Sequence, residues 1–145
     1  MARIVAVNII EKKGEMMHPI EQGLFKEGYG LVGDAHGGKG DRQVSLFGSE
    51  SKEKIRNVGI KGLCFGNFAE NLTTEGIELH KLSAGARLKI GETILEISKV
   101  GKECYLDCAI REREGQCVLQ REVAFAKVIA GGYIRPGDRI EVLEN

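Results

Sequence analysis

The clearest pattern in the chain is the alternation of apolar and polar positions over residues 87–100. Leu88 and Ile90 alternate with Arg87 and Lys89, Gly91-Glu92 interrupts, and Ile94-Leu95-Glu96-Ile97-Ser98-Lys99-Val100 resumes. A period of two in two runs joined by a short glycine link predicts a β-hairpin with one face buried. Residues 2–10 are apolar with little alternation, which predicts a strand in a buried position. Residues 22–31 carry an irregular strand, 42–47 regain strand character, and 125–130 and 140–143 read as strands. Arg135-Pro136-Gly137-Asp138 has the proline-then-glycine order of a type II turn. A helix is expected over 49–58, capped by Ser49 or Ser51 and stopped by Gly59. A weaker one is expected over 105–114, where Leu106 and Ile110 stand four apart. Residues 11–19 form a polar connector, in which Met16-Met17-His18-Pro19 reads as a surface turn, the alternative being a loop near a binding surface. Eight to ten short strands with one or two helices make a mainly β chain, expected to be a single domain over 1–145.

Glycine strengthens that reading. There are 20 glycines, two prolines and no tryptophan, and most of the glycines punctuate short apolar runs, as in barrels and sandwiches. Charge removes one class of function. Lys plus Arg and Asp plus Glu number 21 each, so the basic excess of a general nucleic-acid binder is missing. No apolar run approaches the roughly 18 residues of a membrane-spanning helix. Residues 1–8 look like a first strand rather than a signal peptide. A cytoplasmic location is expected, with no nucleic-acid or membrane partner, and the four cysteines are then expected to be reduced. The spacing of Cys64, Cys104, Cys108 and Cys117 matches no common zinc pattern.

Two stretches could carry chemistry. The first is Gly33-Asp34-Ala35-His36-Gly37-Gly38-Lys39-Gly40-Asp41-Arg42. Four glycines in eight residues disfavour helix and regular strand. An exposed loop remains, bearing Asp34, His36, Lys39 and Arg42, and its amides could cradle an anion. The alternative is a plain solvated loop. The second stretch is Gly101-Lys102-Glu103-Cys104 at the end of the alternating run. An extended backbone puts Lys102 and Cys104 on one face. An ammonium nearby and a helix start after Cys104 both favour the thiolate. The alternative is an inert buried thiol. Glu70 and Asn71 lie among apolar anchors that include Phe65 and Phe68, and are expected to satisfy buried backbone groups.

Taken in order, Gly33-Asp34-Ala35-His36-Gly37, Arg42-Gln43-Val44-Ser45-Leu46, Phe68-Ala69-Glu70-Asn71-Leu72-Thr73-Thr74, Gly101-Lys102-Glu103-Cys104 and Arg135-Pro136-Gly137-Asp138 resemble the MOSC domain. The name denotes the C-terminal domain of molybdenum cofactor sulfurases. The likeness runs over nearly the whole chain and implies a stand-alone form of that domain. It implies a β-barrel with one to three short peripheral helices. It also implies a cysteine, at Cys104, tied to sulfur transfer or to the molybdenum ion of a pterin cofactor (molybdopterin), with Lys102 beside it. The residues it implies for binding that cofactor are the family's loop residues, which fall on Asp34, His36 and Arg42, with Lys39 in the same loop, and its Glu-Asn pair, which falls on Glu70 and Asn71. The chain departs from many relatives at Tyr105, where they carry His, and near residues 119–122, where they carry Pro and Gly.

The expected function is molybdenum cofactor binding or sulfur carriage in cofactor maturation, with Cys104 as persulfide carrier or metal ligand. Possible partners are a cysteine desulfurase, a cofactor-biosynthesis protein or a molybdoenzyme. No pyridoxal phosphate is expected in this chain, since the desulfurase domain of the full sulfurase has no counterpart. The alternatives are a molybdenum-dependent reductase of N-hydroxylated compounds, fed by an external electron donor, and a non-catalytic binding barrel.

Overall fold

In the computed structural model the described residues are 2–12, 17–35, 37, 38, 40, 43–50, 70–101 and 122–144. They form eleven strands: β1 (Arg3–Ile9), β2 (His18–Ile20), β3 (Gly23–Lys26), β4 (Gly30–Leu31), β5 (Val44–Gly48), β6 (Leu72–Glu75), β7 (Arg87–Ile90), β8 (Thr93–Val100), β9 (Ala124–Ala130), β10 (Gly132–Ile134) and β11 (Ile140–Glu144). Helix among these residues is confined to a 3-10 turn at Leu79–Lys81 and to Ser49, Glu50 and Glu122. The helices expected over 49–58 and 105–114 lie almost wholly outside the described residues.

The hairpin follows from its turn. Ile90 pairs with Thr93, and Gly91 alone of the two linking residues has a positive φ, 59°. Glycine first in a two-residue link matches a type II′ turn, whose twist suits the strands it joins. Leu88, Ile90, Leu95 and Ile97 are all buried, while Arg87, Lys89 and Glu92 are exposed. The Arg135-Pro136-Gly137-Asp138 turn is also as expected: Asp138 N–H donates to Arg135 O at 3.1 Å, and Gly137 has φ 95°, as position three of a type II turn requires.

Eight strands pair in the order β11-β7-β8-β9-β5-β6-β1-β2, and β10-β3-β4 make a second, three-stranded sheet. The large sheet is mixed. β5 and β6 are parallel, so the chain between them must cross over rather than turn back. Among the described residues the pairing does not run round from β2 to β11 to close a barrel. Its two ends are nevertheless tied together. Arg3 and Arg139 form an isolated bridge, Ile4 N–H donates to Asp138 O at 2.8 Å, and Gly137 N–H donates to Ile4 O at 2.7 Å. The core behind this wrap joins Ile4, Val7, Phe25, Leu31, Leu46, Leu72, Leu88, Leu95, Ile134 and Ile140 in one cluster.

Three local expectations change. Residues 2–10 are not uniformly buried, because a register shift between Ile4 and Ala6 turns Val5 to the surface. His18 and Pro19 belong to edge strand β2 rather than a turn, a place where proline's missing N–H costs no ladder bond. Residues 22–31 are a tight hairpin of β3 and β4 rather than one irregular strand. Gly30, entering β4, has φ 116°, and a Cβ there would stand 2.5 Å from the backbone oxygen of Gln43. Gly30→Ala should therefore cost about 2–3 kcal/mol, the range for a strained backbone position with a clash added. Denaturant unfolding checks it, and an unchanged midpoint would show that the turn relaxes freely.

Candidate functional site

The large sheet ends, on one side of its middle, in a knot of buried polar groups. Asn71 immediately precedes β6 and is flanked by β1 and β5. Its N–H donates to Ser45 O at 2.9 Å, and Asn8 N–H donates to Asn71 O at 2.8 Å, so both ladders run one residue past the strand. The Asn71 side chain then bonds to both neighbours. Ser45 N–H donates to Oδ1 at 3.1 Å. Nδ2 donates to Asp34 Oδ1 at 3.1 Å and to Asn8 O at 3.4 Å. Since Ser45 N–H can only donate and Asn8 O can only accept, the orientation of the amide is fixed.

Asp34 is held from a second direction. Ile10 N–H donates to its Oδ1 at 2.8 Å, and Ala35 N–H returns a bond to Ile10 O at 2.7 Å. The start of the glycine-rich loop is thus pinned to the end of β1. Glu70 joins through Asn8 and Thr73. Asn8 Nδ2 donates to Glu70 O and to Thr73 Oγ1, both at 3.2 Å, and Thr73 Oγ1 donates to Glu70 Oε2 at 2.9 Å. Asp34, Asn71, Asn8, Glu70 and Thr73 are each at least 95% buried. Buried polar groups persist only when paired, and here they pair across 62 residues of chain between Asn8 and Glu70. The later end of the loop is also tied down: Gln43 Nε2 donates to Gly40 O at 3.0 Å, and Val128 N–H donates to Gln43 Oε1 at 3.1 Å.

Of the residues singled out from the sequence, the structure brings Asp34 and Asn71 into direct contact and Glu70 into the same network. His36, Lys39, Arg42, Lys102 and Cys104 lie outside the described residues, as do Cys64, Cys108 and Cys117. The base of the 102–121 stretch is defined. Gly101 N–H donates to Val123 O at 2.7 Å, and buried Glu122 follows the stretch, with Oε1 3.7 Å from His80 Nδ1. Strand pairing sets where this base stands. Val100 is opposite Ala124, Ala124 opposite Leu46, and Leu46 opposite Leu72. One rung further, Gly101 shares a row with Thr73, three strand spacings away, or about 14 Å on a flat sheet.

Asn8, Ser45, Thr73 and Gln43 are structural members of the site that pattern reading misses. Asn8 had a signal, as the lone polar residue in Ile4-Val5-Ala6-Val7-Asn8-Ile9-Ile10. Ser45 had none, standing in a run that reads only as a strand. Among the described residues no group of three or more His, Cys, Asp and Glu could hold a metal ion.

Comparisons with known proteins bear on this arrangement. The family profile described as the MOSC domain matches residues 33–141, a span from the start of the glycine loop into β11. A comparison with curated proteins finds no match. Among solved structures, YuaD from Bacillus subtilis superposes with a TM-score of 0.76 at 18% identity, covering 100% of this chain and 97% of that one. YiiM from Geobacillus stearothermophilus gives 0.71 at 17% identity, covering 99% and 76%. YiiM from Escherichia coli gives 0.64 at 19% identity, covering 100% and 71%. At such identities the superpositions speak for the fold alone, and the profile speaks for the lineage. The chain belongs to the MOSC domain family.

Proposed function

We propose that the chain binds a molybdenum cofactor at the glycine-rich loop and uses Cys104 as a persulfide carrier or molybdenum ligand in cofactor maturation. In this reading the sheet curls into the family's β-barrel with one to three short peripheral helices. The observation that carries it is the bond from Asn71 Nδ2 to Asp34 Oδ1. It joins two of the segments on which the family resemblance rests, 37 residues apart in sequence, at one buried point.

The chemistry of the described residues sets their role. A phosphorylated pterin is an anion, and the network presents carboxylates whose donors are engaged within the protein. Asp34, Asn71 and Glu70 therefore fit as a frame that holds the loop. The positive charge for a phosphate comes, in this reading, from Arg42, Lys39 and His36. The bound group would supply a high-valent metal already carrying sulfur ligands, for which a soft thiolate is a suitable partner. As a carrier, the Cys104 thiolate attacks the outer sulfur of a persulfide donor. The donor S–S bond breaks, a new S–S bond forms at Cys104, and the donor leaves as a thiolate, so charge and sulfur oxidation state balance. Lys102 favours the thiolate that this attack requires.

The test is retention of cofactor by protein produced in a host that makes it. Wild type should carry the pterin, measured as its fluorescent oxidised form. Arg42→Ala should weaken binding of that phosphorylated pterin by about 1.5–3 kcal/mol, the range for a hydrogen bond to a charged group. Wild type free of pterin under these conditions, or Arg42→Ala binding as tightly as wild type, would remove the anion-site reading.

A further inference from the structure

The glycine loop lies against an aromatic ring. Tyr29 occupies the turn between β3 and β4 and is exposed, at 36%. Its backbone is held by Tyr29 N–H donating to Lys26 O at 3.0 Å, and the preceding Gly28 N–H donates to Val128 O at 3.0 Å. A Cβ added at Gly37 would fall 2.5 Å from Cε2 and 2.6 Å from Cζ of that ring. A Cβ at Gly38 would stand 3.4 Å from Cδ1 and Cε1, and Gly38 N–H donates to Tyr29 O at 2.6 Å. Gly37 has no positive φ, so freedom of the backbone does not explain a glycine there. Close approach does: the ring fills the space a side chain would need.

We propose that Tyr29 is the positioning residue of the anion-binding loop, its ring acting as a platform that sets the Gly37–Gly38 peptide for the ligand. The inference rests on the reading of the loop as the phosphate site. Its physical basis is preorganisation. A loop with four glycines loses much conformational entropy when it orders around an anion. A ring that already restricts the loop removes part of that cost before the ligand arrives. The Asp34 end and the Gly40 end are each fixed by side-chain bonds. Between them, Gly37 N–H donates to Asp34 O at 3.2 Å, and the Tyr29 ring lies against Gly37 and Gly38.

Three variants test this: Tyr29→Ala, Tyr29→Phe and Gly37→Ala. The phosphorylated, oxidised pterin is titrated by fluorescence, amide hydrogen exchange is followed at Gly37 and Gly38 without ligand, and thermal unfolding monitors the fold. Tyr29→Ala and Gly37→Ala should each bind about ten-fold more weakly, equivalent to about 1.4 kcal/mol. Both should also exchange faster at the two glycines. Tyr29→Phe should match wild type in both measurements, because the platform is the ring and not the hydroxyl. If Tyr29→Ala binds and exchanges like wild type, the inference fails while the phosphate-site reading stands. If wild type itself does not bind the pterin, that reading fails and takes the inference with it, whatever the exchange rates. Should Tyr29→Ala fold poorly, Gly37→Ala decides from the other side of the contact, and wild-type affinity in that variant would overturn the proposal.

Discussion

Cys104→Ser is expected to lose most of any bound molybdenum while keeping part of the pterin. The two halves of that result come from different chemistry. A hydroxyl is a poor replacement for a soft thiolate. Changes in the outer shell of a metal site alone cost about 10–100-fold in affinity, so loss of the ligand itself should exceed that. The phosphate contacts assigned to Arg42, Lys39 and His36 are untouched by the substitution. Metal analysis and pterin fluorescence on the same preparations measure the split. If Cys104 carries sulfur instead, wild type holds little metal, and mass spectrometry after incubation with a persulfide donor finds one added sulfur at that residue and none in the variant. Identical metal, pterin and persulfide content in wild type and variant would make Cys104 a structural thiol. Stoichiometric zinc without pterin would point instead to a metal site built from Cys104, Cys108 and Cys117.

Asn71→Ala should be among the most destabilising single changes outside the apolar core. It removes the acceptor of Ser45 N–H and a donor to Asp34 Oδ1. Asn71 is 1% exposed, so water replaces neither bond without opening the structure. A hydrogen bond to a charged group contributes about 1.5–3 kcal/mol and a neutral one about 0.5–1.5, so losing both gives about 3 kcal/mol. For a chain of this size that lowers the midpoint of thermal unfolding by about 10 °C. Asn71→Asp is nearly isosteric, yet it should be worse. The oxygen replacing Nδ2 would face Asp34 Oδ1 and Asn8 O, three acceptors with no proton between them. Both variants should also loosen the start of the glycine loop, since Asp34 Oδ1 would lose the Asn71 amide as a donor. A Tm within a degree or two of wild type for Asn71→Asp would mean that the network is not closed to water.

The elements that sequence alone determined are those whose cause is local. The hairpin of β7 and β8 needs only a period of two and a glycine able to take a positive φ at position 91. The turn at Pro136-Gly137 needs only the fixed φ of one residue and the freedom of the next. The mainly β character follows from many such short pieces. The family resemblance added an order of motifs, and with it Asp34, Glu70 and Asn71 as members of one group. What tertiary structure alone decided is which pieces meet. No local rule makes β5 and β6 parallel, sends residues 22–31 back on themselves into a separate sheet, or ties Arg3 to Arg139. Residues 42–47 read only as a strand, and nothing in that run shows that Ser45 bonds the side chain of Asn71 across to the start of β6. Gly37 read as one more flexible residue, and its reason is the ring of Tyr29, eight positions earlier and on another turn. Hydrogen bonds and close contacts between distant segments depend on how the strands are ordered in space, and the alternation within each strand carries no record of its neighbours.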